Sequence, residues 1–212
     1  MTRQRARLVD SLRPFSLMVV ALWFAAFAEH GNAQYGAPVR SLIEIRENNV
    51  VIQQWDLSCG AAALATILNY QHGDPVSERD IAIGMMGRDE YIENPAIVTY
   101  RQGFSLLDMK RFVDGRGYNG VGLGQLNFES LVEYAPIIVP ISMHGYQHFV
   151  VFQGVQDGRV LLADPAFGNR KMSRTRFERL WLSFPEVGRV GFYVEHTDGL
   201  THPNRLHPAP DQ

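Results

Sequence analysis

Past Pro136 the hydrophobic pattern changes period, and that change constrains the architecture more than any other feature of the chain. Upstream, polar residues open helical runs. Ser77-Glu78-Arg79-Asp80 reads as a capping box ahead of a helix over 81–86, and Ser105 caps a helix over 106–113 that closes at Gly115 and Gly117. Asn127 opens a short helix through Tyr134, which Pro136 ends. Earlier still, a helix from Cys59 to about Tyr70 carries Leu64, Ile67 and Leu68 on one face and stops at Gly73-Asp74-Pro75.

Downstream, 137–143, 147–155 and 160–163 are rich in β-branched and aromatic residues, and Gln156-Asp157-Gly158-Arg159 supplies a hairpin turn between the last two. Thr175-Arg176-Phe177-Glu178 reads as a further capping box, for a helix through Trp181, and 190–194 as a final strand. Helices first and strands later predict an α+β domain, an N-terminal helical part followed by an antiparallel sheet. The stretch 87–104, with Asp89, Glu90, Glu93, Asn94 and Pro95, has no clear period and reads as a loop near the first helix, a candidate for substrate contact.

Residues 1–33 read as a secretory signal: Arg3, Arg5, Arg7 and Arg13 precede an apolar stretch over 15–28, and Gly31-Asn32-Ala33 offers small residues for cleavage before Gln34. The expected location is the periplasm. An uncleaved anchor in the inner membrane, facing the periplasm, is the alternative, although the stretch is short against the roughly 17–25 residues of a spanning helix. Residues 34–195 then form one domain, with no internal repeat, and 196–212, rich in proline and carrying His202 and His207 without ligand spacing, reads as a disordered tail. Losing 1–33 moves the formal net charge from −2 to −4, which argues against nucleic acid as a partner.

The sole cysteine, Cys59, stands at a helix start, where unpaired backbone N–H groups and the helix dipole favour S⁻ over SH. It cannot form an intrachain disulfide, so its roles are packing, intermolecular pairing or nucleophilic chemistry. Gly60 permits close approach, and Asp56 and Ser58 are good N-cap types. The dipole contributes only about 0.3–1 kcal/mol, less than the about 1.36 kcal/mol of one pKa unit. A thiol starting near 8.5 therefore needs a cationic partner, and an imidazolium can bring a cysteine to roughly 3–4.

His148, within Gln147-His148-Phe149-Val150-Val151-Phe152, lies in the clearest strand, which carries its side chain rigidly on the face shared with Val150 and Phe152. Across the Asp157-Gly158 turn, the next strand ends at Asp164-Pro165, so Asp164 can approach His148 and orient its ring. Gln53, six residues before Cys59, is the candidate side-chain donor to an oxyanion, together with the Cys59 backbone N–H. No cofactor is expected. A metal site from His144 and His148 lacks further spaced ligands, and no Cys-x-x-Cys supports thiol exchange.

The segment from Gln53 to Ala62, with His148-Phe149-Val150-Val151 and Asp164-Pro165, resembles the C39 cysteine peptidases, the double-glycine or bacteriocin-processing enzymes of papain-like fold. The resemblance covers most of 50–183, including Phe177 and Trp181. It implies Cys59 as nucleophile, His148 as general base, Asp164 as orienting carboxylate and Gln53 as oxyanion donor. Members fused to peptide exporters commonly carry Asp directly before the cysteine, where this chain has Ser58. The stand-alone, exported form is similar to C39-like proteins encoded with bacterial functional-amyloid secretion systems. That similarity implies an exported or periplasmic polypeptide as client and a component of such a system as partner. A non-catalytic C39-like binding module is the alternative.

Overall fold

Short polar caps start most of the helices, and the computed structural model follows them closely; it describes residues 40–87, 89, 93–94, 96–100, 103–143, 145–198 and 205–206. The chain divides into units Met1–Arg40 and Ser41–Gln212. The expected export signal, 1–33, lies outside the described residues.

In the second unit, α1 (Leu42–Arg46) is capped by Ser41, α2 spans Cys59–Thr66 and runs into a π-helical turn, Ile67–His72, closed by Gly73 in the left-handed region at φ 71. Next come α3 (Glu78–Met86), α4 (Ala96–Tyr100) and α5 (Leu106–Asp114), with Ser77 and Ser105 accepting from the backbone N–H three residues on. A strand β1 (Tyr118–Leu123) precedes α6 (Phe128–Glu133), which Asn127 caps. The β-rich half is β2 (Ile137–Met143), β3 (Tyr146–Gln156), β4 (Arg159–Asp164), β5 (Gly168–Ser173), α7 (Arg174–Leu180), β6 (Ser183–Phe184), β7 (Gly188–Arg189) and β8 (Gly191–His196).

The large sheet has the order β1-β8-β2-β3-β4-β5, antiparallel throughout, and β6-β7 forms a small ribbon. Alternation along β2 and β3 buries both faces. Ile138 and Val151 join Ala63, Leu64 and Leu68 in one core, while Val139, Ile141, Val150 and Phe152 join Phe177 and Trp181 in another. Two cores sandwich one sheet, which gives β3 and β4 a rigid setting.

Five elements differ from the sequence reading. The helix opening at Cys59 leaves the α pattern after Thr66, and Cys59–Thr66 is buried on all sides rather than on one face, because its run of alanines lets β3 pack closely. Ser173, not Thr175, caps α7. Within 87–104, Ala96–Tyr100 is helical. Strands β1 and β5 carry glycine and polar residues with no strong strand pattern, and pairing with β8 and β4 makes them strands. Of 196–212, His196 closes β8 and Leu206 is buried in the first core; His202 and His207 lie outside the described residues.

Candidate active site

Cys59 is the first residue of α2 and is 3 % exposed. The extended segment ahead of it is fastened at several points. Val51 N donates to Thr66 Oγ1 (3.0 Å), Gln53 N to Pro165 O (2.9 Å), and Gln54 N to the Glu78 carboxylate (3.0 and 3.2 Å). The backbone contact with Pro165 ties the stretch leading to the cysteine directly to the turn that follows Asp164.

The β3–β4 register pairs Val151 with Ala163, so Asp164 falls one step beyond, as a diagonal neighbour of His148. His148 Nε2 and Asp164 Oδ1 are 2.7 Å apart. Asp164, fully buried, also accepts from Arg170 Nη1 at Oδ2 (2.8 Å) and from Ala166 N at Oδ1 (3.0 Å). Burial pushes the Asp164 carboxyl up, but the His148 hydrogen bond and charge, with Arg170 and Ala166, outweigh it and hold the group below its ordinary value. An ionised carboxylate only accepts, so His148 Nε2 carries the proton and Nδ1 is left for the sulfur. Burial likewise pushes His148 down from 6.5, yet hydrogen bonds to Asp164 and to Cys59, and their charges, raise it to about 9.

Cys59 and His148 line one cavity of about 230 Å³, walled by Phe104, Pro140, Phe149, Phe184 and Val190. Phe104 is the last residue of the stretch 87–104, so the end of that stretch does reach the site. Tyr146, two residues before His148 on β3, has its phenol raised by burial and by the charges of Cys59 and Asp56.

Gln53 is half-buried. Its Nε2 donates to Trp55 O (3.2 Å), its Oε1 is buried without a hydrogen-bond partner, and it does not line the cavity. The structure thus brings Cys59, His148 and Asp164 together, while one amide proton of Gln53 is committed to the turn before the cysteine. His144 lies outside the described residues. Among the described residues, no group of three or more His, Cys, Asp or Glu could hold a metal ion, and no helix is long and apolar enough to cross a membrane.

Sequence reasoning missed two residues. Arg170 stands opposite Leu162 in the β4–β5 hairpin, diagonal to Asp164; the alternation of Arg170 with Met172 after the Asp164-Pro165 turn was the available signal. Glu78, 4 % exposed, holds Ser58 and Gln54, and its only mark in the sequence is a place in a capping box.

The model of the "Peptidase C39 family" matches residues 47–184. The chain therefore belongs to the Peptidase C39 family, and it is a cysteine peptidase. It is 41% identical over 176 residues to a Pseudomonas aeruginosa protein named "Probable functional amyloid protease FapD", covering 79% of this chain and 75% of that one. A Pseudomonas fluorescens protein of the same name is 36% identical over 157 residues, 74% of this chain and 67% of the relative. Among solved structures, a double glycine motif protease from an AMS/PCAT transporter, in complex with the leader peptide, matches with TM-score 0.54 at 23% identity, covering 70% of this chain and 91% of that one. The peptidase domain of Streptococcus ComA also matches with TM-score 0.54, at 19% identity over 70% and 98% of the two chains. These two likenesses establish the papain-like α+β fold of the family.

Proposed function

We propose that this peptidase cuts peptide bonds through Cys59, His148 and Asp164, with the Cys59 backbone N–H and the second amide proton of Gln53 receiving the oxyanion. The observation that carries this reading is the 2.7 Å contact between His148 and Asp164, on a histidine that shares its cavity with the only thiol. The sulfur attacks the peptide carbonyl as thiolate, forming an S–C bond while the carbonyl electrons move to oxygen. The His148 imidazolium gives its Nδ1 proton to the leaving amine, and the C–N bond breaks to leave a thioester. Neutral His148 then takes a proton from water, the hydroxide adds to the thioester, and the sulfur leaves. One water is consumed for two new chain ends. Asp164 holds the ring and stabilises the imidazolium in both halves.

The client is an exported or periplasmic polypeptide of a functional-amyloid secretion system, and the peptidase works in the periplasm after losing residues 1–33. The basic and apolar pattern of that segment supports the location, and the names of the two Pseudomonas relatives support the client class. Incubating the exported protein and its Cys59→Ala form with periplasmic extract, then mapping new peptide termini by mass spectrometry, tests reaction and client together. Termini that appear with both forms would remove Cys59 from the chemistry. N-terminal sequencing of the exported protein should begin at Gln34; intact residues 1–33 in the membrane fraction would refute the released form.

A further inference from the structure

We infer that Glu78 is a positioning residue for the peptidase site: its buried carboxylate holds the Ser58 hydroxyl away from the start of α2 and so leaves the first-turn N–H groups of that helix open. The inference rests on the reading of Cys59 as nucleophile with its oxyanion held at the helix start.

Ser41, Ser77, Ser105, Asn127 and Ser173 each accept, through the side chain, a hydrogen bond from the backbone N–H at the third position of the helix they cap. Ser58 holds the same place before α2 and belongs to the same favoured residue type, yet its backbone stands at ψ 8 where those five are extended, and its side chain makes no cap hydrogen bond. Its Oγ instead contacts Trp55 O (2.6 Å) and Glu78 Oε1. Glu78, the first residue of α3, uses the same carboxylate to accept from Gln54 N, so a single buried group from a neighbouring helix holds both ends of the Gln54–Ser58 turn. The turn itself is under constraint. Leu57 sits in the left-handed region at φ 66, and a β-carbon at Gly103 would come within 2.9 Å of Leu57 O.

The consequence is competition for one set of donors. A capping hydroxyl and a developing oxyanion use the same unpaired N–H groups of a helix N-terminus. With Ser58 turned onto Glu78, the N–H groups of Cys59, Gly60 and Ala61 stay clear of a side-chain cap. Without Glu78, Ser58 loses one of its two acceptors, and a swing of its backbone to the extended conformation of its counterparts brings its side chain onto Ala61 N. This assigns work to a buried carboxylate that touches neither sulfur nor imidazole.

The test uses the full chain with acetyl-glycyl-glycinal as probe. Cys59 adds to the aldehyde carbon, an S–C bond forms, and the former carbonyl oxygen takes the negative charge or a proton at the oxyanion donors. Iodoacetamide alkylation needs no such donors and serves as the control. Glu78→Ala should weaken aldehyde affinity by roughly ten- to a hundredfold, below the roughly 10²–10³ of a deleted donor because the donors remain present but capped, with alkylation changed by less than about twofold. Glu78→Gln, which can still accept from Gln54 N and hold Ser58, should restore affinity. So should Glu78→Ala with Ser58→Ala, which removes the competing cap. Amide exchange at Ala61 should slow in Glu78→Ala and recover in the double variant. Unchanged aldehyde affinity in Glu78→Ala, a double variant no better than the single, or unaltered Ala61 exchange would each overturn the inference. A wild type that alkylates but binds no aldehyde would instead overturn the oxyanion reading beneath it, and the Ala61 exchange pattern separates the two failures.

Discussion

Arg170 Nη1 lies 2.8 Å from Oδ2 of Asp164, on the oxygen that His148 leaves free. One buried carboxylate is therefore shared between a guanidinium that cannot give up its proton and an imidazole that must. Arg170 adds to the interactions that hold Asp164 below its ordinary value, and it takes a share of the carboxylate that would otherwise go to the ring.

Arg170→Gln should destabilise the fold by about 2 kcal/mol, the usual cost of a hydrogen bond to a charged group, or roughly 4–8 °C in Tm for a chain of this size. It should also move the alkaline limb of the pH–activity profile upward, because an undivided carboxylate favours the imidazolium more. Thermal melting and kcat/KM against pH check the two effects separately; an alkaline limb that stays put or moves down would remove the tuning role.

The pH dependence of stability follows from the same pair. His148 is raised from 6.5 to about 9, so the native state holds this proton more tightly than the unfolded chain. Its contribution is complete below about 6.5 and is lost as pH climbs through about 9. Asp164 is lowered from 3.8, so its contribution is complete above that value and is lost on acidification through its native one. Tm should therefore be highest between about 4 and 6.5, bounded by those two unfolded values. His148→Ala should flatten the decline between 6.5 and about 9, and an equally steep alkaline decline in that variant would assign it to another group.

Iodoacetamide should alkylate Cys59 well below pH 8 in the wild type, and His148→Ala should return the rate to that of an ordinary thiol, since the helix dipole alone is too weak. The same variant should lose roughly 10²–10⁴ in turnover with the general base gone. Asp164→Asn should affect the thiol less than loss of His148. A rate profile indifferent to His148 would dissolve the catalytic pair.

Gln53→Ala should lower kcat by roughly 10²–10³ with Tm nearly unchanged, because an oxyanion donor acts only where charge develops. Gln54→Ala should be mild, since the exposed Gln54 contributes its backbone N–H rather than its side chain to Glu78. Because Gln53 Nε2 also holds Trp55 O, a fall in Tm that tracks the fall in activity would reassign Gln53 to bracing the turn.

On the scaffold side, Phe177 is fully buried with its ring 5.3 Å from Phe152, 5.6 Å from Trp181 and 6.2 Å from Phe128. Phe177→Ala should cost about 3–5 kcal/mol while leaving the alkylation profile of the remaining folded protein in place. Denaturant unfolding measures the first and the alkylation midpoint the second.

Local chemistry alone determined much of this protein. Ser77, Ser105 and Asn127 start helices because a short side chain satisfies a backbone N–H a few residues away, and the strands at 137–143 and 147–155 declare themselves by their own β-branched and aromatic residues. The Asp157-Gly158 turn even predicts which strand brings Asp164 to His148. Tertiary structure decided the rest. Strand β5 exists because β4 offers it an edge, Ser58 leaves α2 without a side-chain cap and turns its hydroxyl to Glu78 of another helix, and Arg170 reaches Asp164 only through a hairpin register. Those choices depend on free-energy differences between partners distant in the chain, and no local pattern records which partner a buried polar group will find.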